Sequence, residues 1–395
     1  MTTTNKNLKD VAIVSGVRTP FGRGVKGNLK DTRPDTMGAL VIAEALRRAT
    51  GIKPEEVDDV VLGCAMPEAE QGMNVARVAA LAAGLPVEAS AMTVNRFCSS
   101  GVQSIAIVAD RIAAGAYEVG IAGGVESMSM IPMTGNKVSL NPDIVEKHPA
   151  VFTPMGVTAE NVARRFEIPR ADQDAFALRS HTLALAAQAA GKFADEIMPV
   201  KTFVFDAAGK RHEITVDKDE GPRADTTLEK LSALKPAFDP TGSITPGNSS
   251  PLTDGAAAVV LASGDRVRAL GLKPLGWFRA FATAGVPPEI MGIGPVPAVR
   301  KLLKQTGLTI DQIDLFELNE AFASQGLYCA RELGIPTEKL NVNGGAIAIG
   351  HPLGVSGARM TITILNELAR RGGRYGIVTM CIGGGMGAAA LVERA

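Results

Sequence analysis

The sequence predicts an α/β protein built from two similar halves. Three observations carry that expectation. Short apolar strands alternate with helical stretches, the pattern of a largely parallel sheet covered on both faces. The same order of elements starts again near Trp277. Between about residues 126 and 245 the rhythm breaks, so an insertion interrupts the first half. The expected division is 1–270, carrying the insertion, and 271–395. Composition agrees: 395 residues are 46% apolar and only 4% aromatic, so Ala, Val, Ile and Leu must fill the core.

In chain order, Val11–Val14 reads as a buried strand, left by the turn Gly16–Gly22. Thr36–Ala49 is a helix with Ala39, Ile42, Ala43 and Leu46 on one face. Val57–Gly63 is a second strand and Asn74–Ala83 a second helix. A third strand, expected to be buried, ends Ala91-Met92-Thr93-Val94. Val102, Ile105, Ala109 and Ile112 then mark a helix, and Val119–Gly124 a further strand. Inside the insertion, Asp172–Ala190 is a helix starting near a cap at Asp172 and ending at Gly191. Val200–Phe205 and Glu213–Val216 form a hairpin around Ala207-Ala208-Gly209. Strand character resumes at Asp254–Leu261. The second half then offers Trp277–Ala284 as a strand, Pro297–Thr306 as a helix and Ile313–Glu317 as a strand echoing Val57–Val61. Asn341–Gly345 echoes the strand at Thr93-Val94-Asn95; Val355–Arg371 is the matching helix and Gly376–Cys381 the last strand considered.

Several function classes recede. Charge balances at 41 basic and 41 acidic residues, with no basic block to suggest nucleic acid. Cys64, Cys98, Cys329 and Cys381 lie far apart, giving neither a disulfide framework nor zinc spacing. No run is long enough to span a bilayer. Met1–Lys6 lacks the apolar segment of a signal peptide, and the C-terminus lacks a peroxisomal tripeptide. The expected setting is cytoplasmic.

Chemistry concentrates in four turns. Cys98 stands between a strand and a helix, among the small residues Ser99, Ser100 and Gly101. Unpaired amides and the dipole at a helix N-terminus favour an anion there, so a thiol pKa below the free value of about 8.5 is expected. The competing reading is a small core cysteine. Asn319, in Asn319–Ala323, suits either a water and carbonyl contact or an ordinary helix cap. His351 sits among glycines and prolines in Gly344–Gly354, as one of four histidines in the chain; a structural imidazole is the alternative. That loop lacks both the P-loop ending and the dinucleotide spacing. The fourth turn, Cys381–Gly387, sets backbone N–H groups beside a thiol.

Two cysteines, a histidine and an asparagine on turns of two related halves resemble the thiolase family over nearly the whole chain. The matching stretches are Asn95–Gly101, Gly123–Ser129, Asn319–Ala323, Gly350–Gly354 and Cys381–Gly385. Together, in order, they are far more specific than any one alone. The resemblance implies a thiolase-like fold of two βαβαβαββ halves, each with a five-stranded mixed sheet, and a loop domain inserted in the first. It implies thiolytic cleavage of a 3-ketoacyl-CoA through an acyl group on Cys98. His351 would take the Cys98 proton and later activate CoA, and Cys381 would protonate the departing enolate. One oxyanion hole would use His351 and a water held by Asn319, the other the N–H groups of Cys98 and Gly383. Arg223 would pack on the adenine of CoA and Ser250 would contact the pantetheine; Met155, Ala321 and Phe322 would line the tunnel. No permanently bound cofactor or metal is implied. CoA and acyl-CoA enter as substrates, and a homodimer or homotetramer is expected. Pro154 and the stretches Asn95–Cys98 and Gly247–Ser250 look more like degradative 3-ketoacyl-CoA thiolases than like the biosynthetic acetyl-CoA acetyltransferases, which are the alternative. A β-ketoacyl synthase would want another residue at Cys381, and a non-catalytic acyl-CoA carrier would be expected to have lost one of Cys98, His351 and Cys381.

Overall fold

Residues 9–395 are described in a computed structural model; the Met1–Lys6 stretch considered above lies outside them. The first half runs β1 (Val11–Arg18), β2 (Gly22–Arg23), α1 (Pro34–Arg48), β3 (Asp59–Gly63), α2 (Val75–Ala82), β4 (Ser90–Val94), α3 (Ser100–Ala113) and β5 (Val119–Ser127). The insertion follows with α4 (Pro142–Lys147), α5 (Met155–Arg165), α6 (Arg170–Ala189), the hairpin β6 (Val200–Phe205) and β7 (Arg211–Val216), and α7 (Leu228–Ser232). Then come β8 (Thr253–Ser263) and α8 (Gly264–Leu270). The second half is β9 (Gly276–Gly285), α9 (Pro295–Thr306), β10 (Leu315–Leu318), α10 (Ala323–Leu333), α11 (Ala346–Ile349), α12 (Ser356–Arg371), β11 (Tyr375–Ile382) and β12 (Met386–Arg394).

One sheet runs β10-β11-β12-β9-β1-β8-β5-β3-β4, with β2 added to β8. It is mixed rather than largely parallel. Among the strand pairs of the described residues, only β3–β4, β3–β5 and β10–β11 are parallel. The expectation failed because strands buried on both faces are continuous apolar runs, which carry no record of direction. β8 is such a run, fully buried along Thr253–Ser263 and antiparallel to both β1 and β5. The halves join where β1 pairs β9 over three residues.

Helices cover this sheet in layers. Alternate residues of β8 face opposite ways: Ala257, Val259 and Leu261 pack with α3 and α12, whereas Ala256, Ala258 and Val260 pack with α1 and α2. β12 repeats the arrangement, with Ala388, Ala390 and Val392 toward α12 and Ala389 and Leu391 toward α9 and α10. α3 and α12 therefore form a central layer between the halves, which explains why α12 buries twelve of its sixteen residues. They cross through glycines: a Cβ on Gly101 would lie 2.8 Å from the Gly354 carbonyl and 2.9 Å from the Ala358 nitrogen. The N-termini of α3 and α12, which follow Cys98 and His351, are thus brought together.

Three further expectations are corrected. β4 is not buried; it is an edge strand, with Ser90 and Met92 exposed. Asn341–Gly345 is not a strand. Asn341 adopts φ 43°, and only Leu340 bridges Phe316. The Asn341 side chain replaces the ladder, accepting from the Leu318 N–H at 2.9 Å and donating to the Leu318 carbonyl at 2.8 Å. The insertion helix begins at Arg170, with Pro169 rather than Asp172 at the cap. Its hairpin spans the expected residues and is longer in the second strand, which starts at Arg211.

Candidate active site

The turn before α3 is drawn tight by its own side chains. The Asn95 carboxamide oxygen accepts from the Phe97 N–H at 2.8 Å, and Ser100 Oγ accepts from the Arg96 N–H at 2.8 Å. Phe97 is held at φ 43°, a left-handed conformation rare for a bulky residue. Cys98 follows, buried among Ala65, Met128 and Leu353. Burial pushes its thiol up to about 11, against the N–H groups of Gly383 and of Cys98 itself, which pull the other way. The helix N-terminus therefore does not lower this pKa as expected; desolvation wins. At rest Cys98 is a protonated thiol, and its attack needs a base.

His351 is buried, and desolvation, followed by the charge of Arg359, lowers its pKa to about 3. The surrounding hydrogen bonds select its tautomer. Ser356 Oγ donates to the Pro352 carbonyl at 3.1 Å, so it accepts from Nδ1–H of His351 at 2.6 Å. Nε2 is then the bare nitrogen, and it accepts from Asn319 Nδ2 at 3.1 Å. Asn319 reaches it from the end of β10, where its own N–H bonds the Thr379 carbonyl at 2.9 Å. Its Oδ1 is buried with no protein partner among the described residues.

Cys381 lies on β11, fully buried, and its pKa is raised well above the ordinary value by desolvation and next by the neighbouring Cys98. It clusters with Ala321, Phe322 and the half-buried Met155. Gly383 fits between two of these elements: a Cβ there would sit 3.6 Å from Met155 Sδ and 3.6 Å from Phe97. The Ser250 N–H bonds the Ala321 carbonyl at 3.0 Å. So Cys98, Gly383, Cys381, Met155, Ala321, Phe322 and Ser250 form one connected neighbourhood, and Asn319 and His351 a hydrogen-bonded pair. Arg223 is different. It is exposed, outside the buried cluster, with its N–H bonded to His181 Nδ1 at 3.2 Å.

Similarity to known proteins identifies the family of the chain. Family models for the N-terminal and C-terminal domains of thiolase match residues 11–265 and 272–394. This chain belongs to the thiolase family. It is 53% identical to the 3-ketoacyl-CoA thiolase of Bacillus subtilis (strain 168), across 98% of this chain and 100% of that one. It is 50% identical to peroxisomal 3-ketoacyl-CoA thiolase A of Mus musculus, covering 98% and 91% respectively. The crystal structure of the Bacillus anthracis acetyl-CoA acetyltransferase superposes with a TM-score of 0.90 at 42% identity, over 99% of this chain and 100% of that one.

Sequence reasoning missed the residues that hold this thiolase site together. Glu126, fully buried on β5, accepts from the N–H groups of Ala65 and Gly354, both at 2.8 Å, and from Gln71 Nε2 at 2.8 Å. One carboxylate thus ties the Ala65 loop of the first half to the His351 loop of the second. Ser356, Glu317 and Arg359 were also missed. The available signal was a carboxylate inside an apolar strand: Val125-Glu126-Ser127 and Phe316-Glu317-Leu318. Buried acids need partners, and the partners mark the neighbouring loops. Among the described residues, no His, Cys, Asp and Glu group could hold a metal ion, and no helix is long and apolar enough to cross a membrane.

Proposed function

We propose that the protein cleaves 3-ketoacyl-CoA with free CoA, giving acetyl-CoA and a shortened acyl-CoA. The observation that carries this reading is the pairing of two unlike thiols with a single neutral imidazole. His351 Nε2 removes the Cys98 proton as the sulfur attacks the keto carbon. The Cα–Cβ bond then breaks, leaving an acyl group on Cys98 and an acetyl-CoA enolate. Cys381, strongly disposed to keep its proton, supplies it to the enolate carbon, and the thiolate left behind regains a proton from the protonated His351, which resets both groups. Free CoA enters, gives its thiol proton to the reset His351, and its sulfur takes the acyl group from Cys98, whose released thiolate regains that proton from His351.

Charge develops on oxygen in both steps. The N–H groups of Gly383 and Cys98 both favour negative charge at the Cys98 sulfur, one bond from the acyl carbon, and so would suit its carbonyl oxygen. Protonated Nε2 of His351, with a water on Asn319, suits the enolate oxygen. CoA would reach the thiols past Met155, Ala321, Phe322 and Ser250, with Arg223 on the adenine at the exposed rim. CoA and acyl-CoA are substrates rather than resident cofactors. The names of the relatives, and Pro154 beside Met155, favour the degradative substrate range over acetoacetyl-CoA alone. Four unpaired, buried cysteines support a reducing, cytoplasmic setting. The open edge of β4 and the exposed Met73, Val87 and Met92 around it support a homodimer or larger assembly. Sedimentation showing a monomer would remove that part.

The test uses the Mg²⁺-enolate absorbance of acetoacetyl-CoA. It should fall only when enzyme and CoA are both present. Loss of the signal without CoA would indicate hydrolysis and overturn thiolysis.

A further inference from the structure

The segment Glu317–Asn319, at the end of β10, is joined to the segment running from His351 into α12 by two rungs. One is the hydrogen bond from Asn319 to His351 at 3.1 Å. The other is a buried ion pair, Arg359 Nη1 to Glu317 Oε2 at 2.7 Å. Glu317 precedes Asn319 by two residues, so both side chains leave the same face of the extended segment. Arg359 follows Ser356 by three residues and shares its face of α12. Ser356 in turn holds Nδ1 of His351. The imidazole is therefore seated on the two elements that the ion pair bolts together.

Stability does not explain this pair. Buried ion pairs of this kind are often no better than apolar residues of equal volume. Arg359 Nε has no partner among the described residues, and burial, opposed by Arg359 and reinforced by Glu196 and Glu320, pushes the Glu317 carboxyl up to about 7. The elements packed near the imidazole carry Cys98 on the α3 turn, Cys381 on β11, Glu126 on β5, Glu317 and Glu320 at β10, and Arg359 on α12. Of these, Arg359 is the positive charge that opposes a second proton on the ring.

We propose that Arg359, anchored by Glu317, is a positioning residue for His351: it fixes the ring on the β10–α12 frame, and its charge adds to burial in keeping Nε2 free of a proton. This rests on the reading of His351 as the base for Cys98. The experiment follows acylation of Cys98 by acetyl-CoA in a single turnover as a function of pH. The double variant Glu317→Leu/Arg359→Met should match or exceed the parent in thermal stability. It should acylate more slowly by up to about 100-fold, the scale of an ångström's misplacement. Its acidic limb should move to higher pH. Arg359→Lys keeps the charge and should keep the limb in place while losing part of the rate. Should the double variant not fold, Arg359→Gln against Arg359→Lys carries the comparison, with the limb moving only in Gln. Parental rate and an unmoved limb in the double variant, or equal limbs in Gln and Lys, overturn the proposal. Normal acylation by His351→Ala would instead remove the base assignment beneath it.

Discussion

In the first half β5 ends at Ser127 and β8 begins only at Thr253; in the second, the corresponding strands β11 and β12 are separated by Gly383–Gly385 alone. The halves otherwise repeat: β4-β3-β5-β8-β1 corresponds to β10-β11-β12-β9, with the bridge at Leu340 where a fifth strand would lie. Equivalent helices, α3 and α12, cross at the centre. The difference divides the labour. The first half presents Cys98 on a strained turn and carries α5, whose Met155 packs beside Cys381 and Gly383. The second half keeps its thiol within the sheet and adds the imidazole and carboxamide. Both thiols are protonated at rest, but for unequal reasons. Cys98 has two N–H groups pulling its pKa back, one of them from the other half. Cys381 is pushed further up by the presence of Cys98 itself.

Removing the first-half thiol should produce the largest effect. Cys98→Ala should lower thiolysis by about 10⁴-fold or more, the scale seen when a covalent nucleophile is removed. Incubation of the parent with acetyl-CoA, digestion and mass spectrometry should place the acetyl group on Cys98. Label on Cys381 or Cys329 would reverse the assignment of the halves, and label on Cys64 would move the nucleophile within the first. Cys381→Ala should sharpen the contrast. It should still acquire an acetyl group at Cys98, yet lose about 10²–10⁴-fold in carbon–carbon cleavage and in exchange of the acetyl-CoA α-proton. Unimpaired proton exchange would remove Cys381 from the reaction.

A smaller effect concerns two buried imidazoles, His181 in the insertion and His351 in the second half. Burial lowers the first to about 4 and the second to about 3. In each case the unfolded chain binds the extra proton first. Stability is therefore lost as pH falls from about 6.5 toward the folded value, at about 1.4 kcal/mol per pH unit for each group. His351→Gln should cut the loss of stability between pH 7 and pH 4.5 by about 2 kcal/mol relative to the parent. Urea unfolding at the two pH values measures this. Equal pH dependence in parent and variant would show that His351 is not held neutral in the fold.

Much of this division was legible in the sequence, and what was not has physical causes. The duplicated rhythm and the turns at Cys98, Asn319, His351 and Cys381 stood out because glycines and small residues punctuate apolar runs there. Strand direction did not, since β8 and β12 are apolar on both faces. The edge position of β4 was hidden because Ala91, Met92 and Val94 read as core, although Met92 is exposed. The sign of the Cys98 shift was missed because a local argument, the helix N-terminus, competes with burial that only the assembled halves create. Glu126 and Arg359 act across the chain, on Gly354 and Glu317. No local pattern records such partners.

The smallest expected effect tests whether the insertion sets acyl length while the second half leaves it alone. Pro154 caps α5 with an extended backbone, immediately before Met155, whose sulfur approaches Gly383 beside both thiols. A proline offers no side-chain donor at that entrance, and leaves an apolar wall against which an acyl chain can lie. Each methylene buried there contributes up to about 0.8 kcal/mol, or roughly a four-fold gain in kcat/KM. Thiolysis across a series of 3-ketoacyl-CoA substrates should therefore climb over several carbons beyond acetoacetyl-CoA and then level off. Pro154→His adds a polar ring at the same place. It should flatten that climb by a few-fold at the longer chains while leaving Cys98 acetylation by acetyl-CoA near the parental rate, because the Cys98 and His351 turns are untouched. A parent restricted to the four-carbon substrate would favour the biosynthetic acetyltransferase reading. A climb unchanged by Pro154→His would keep the degradative reading and move the acyl wall away from α5.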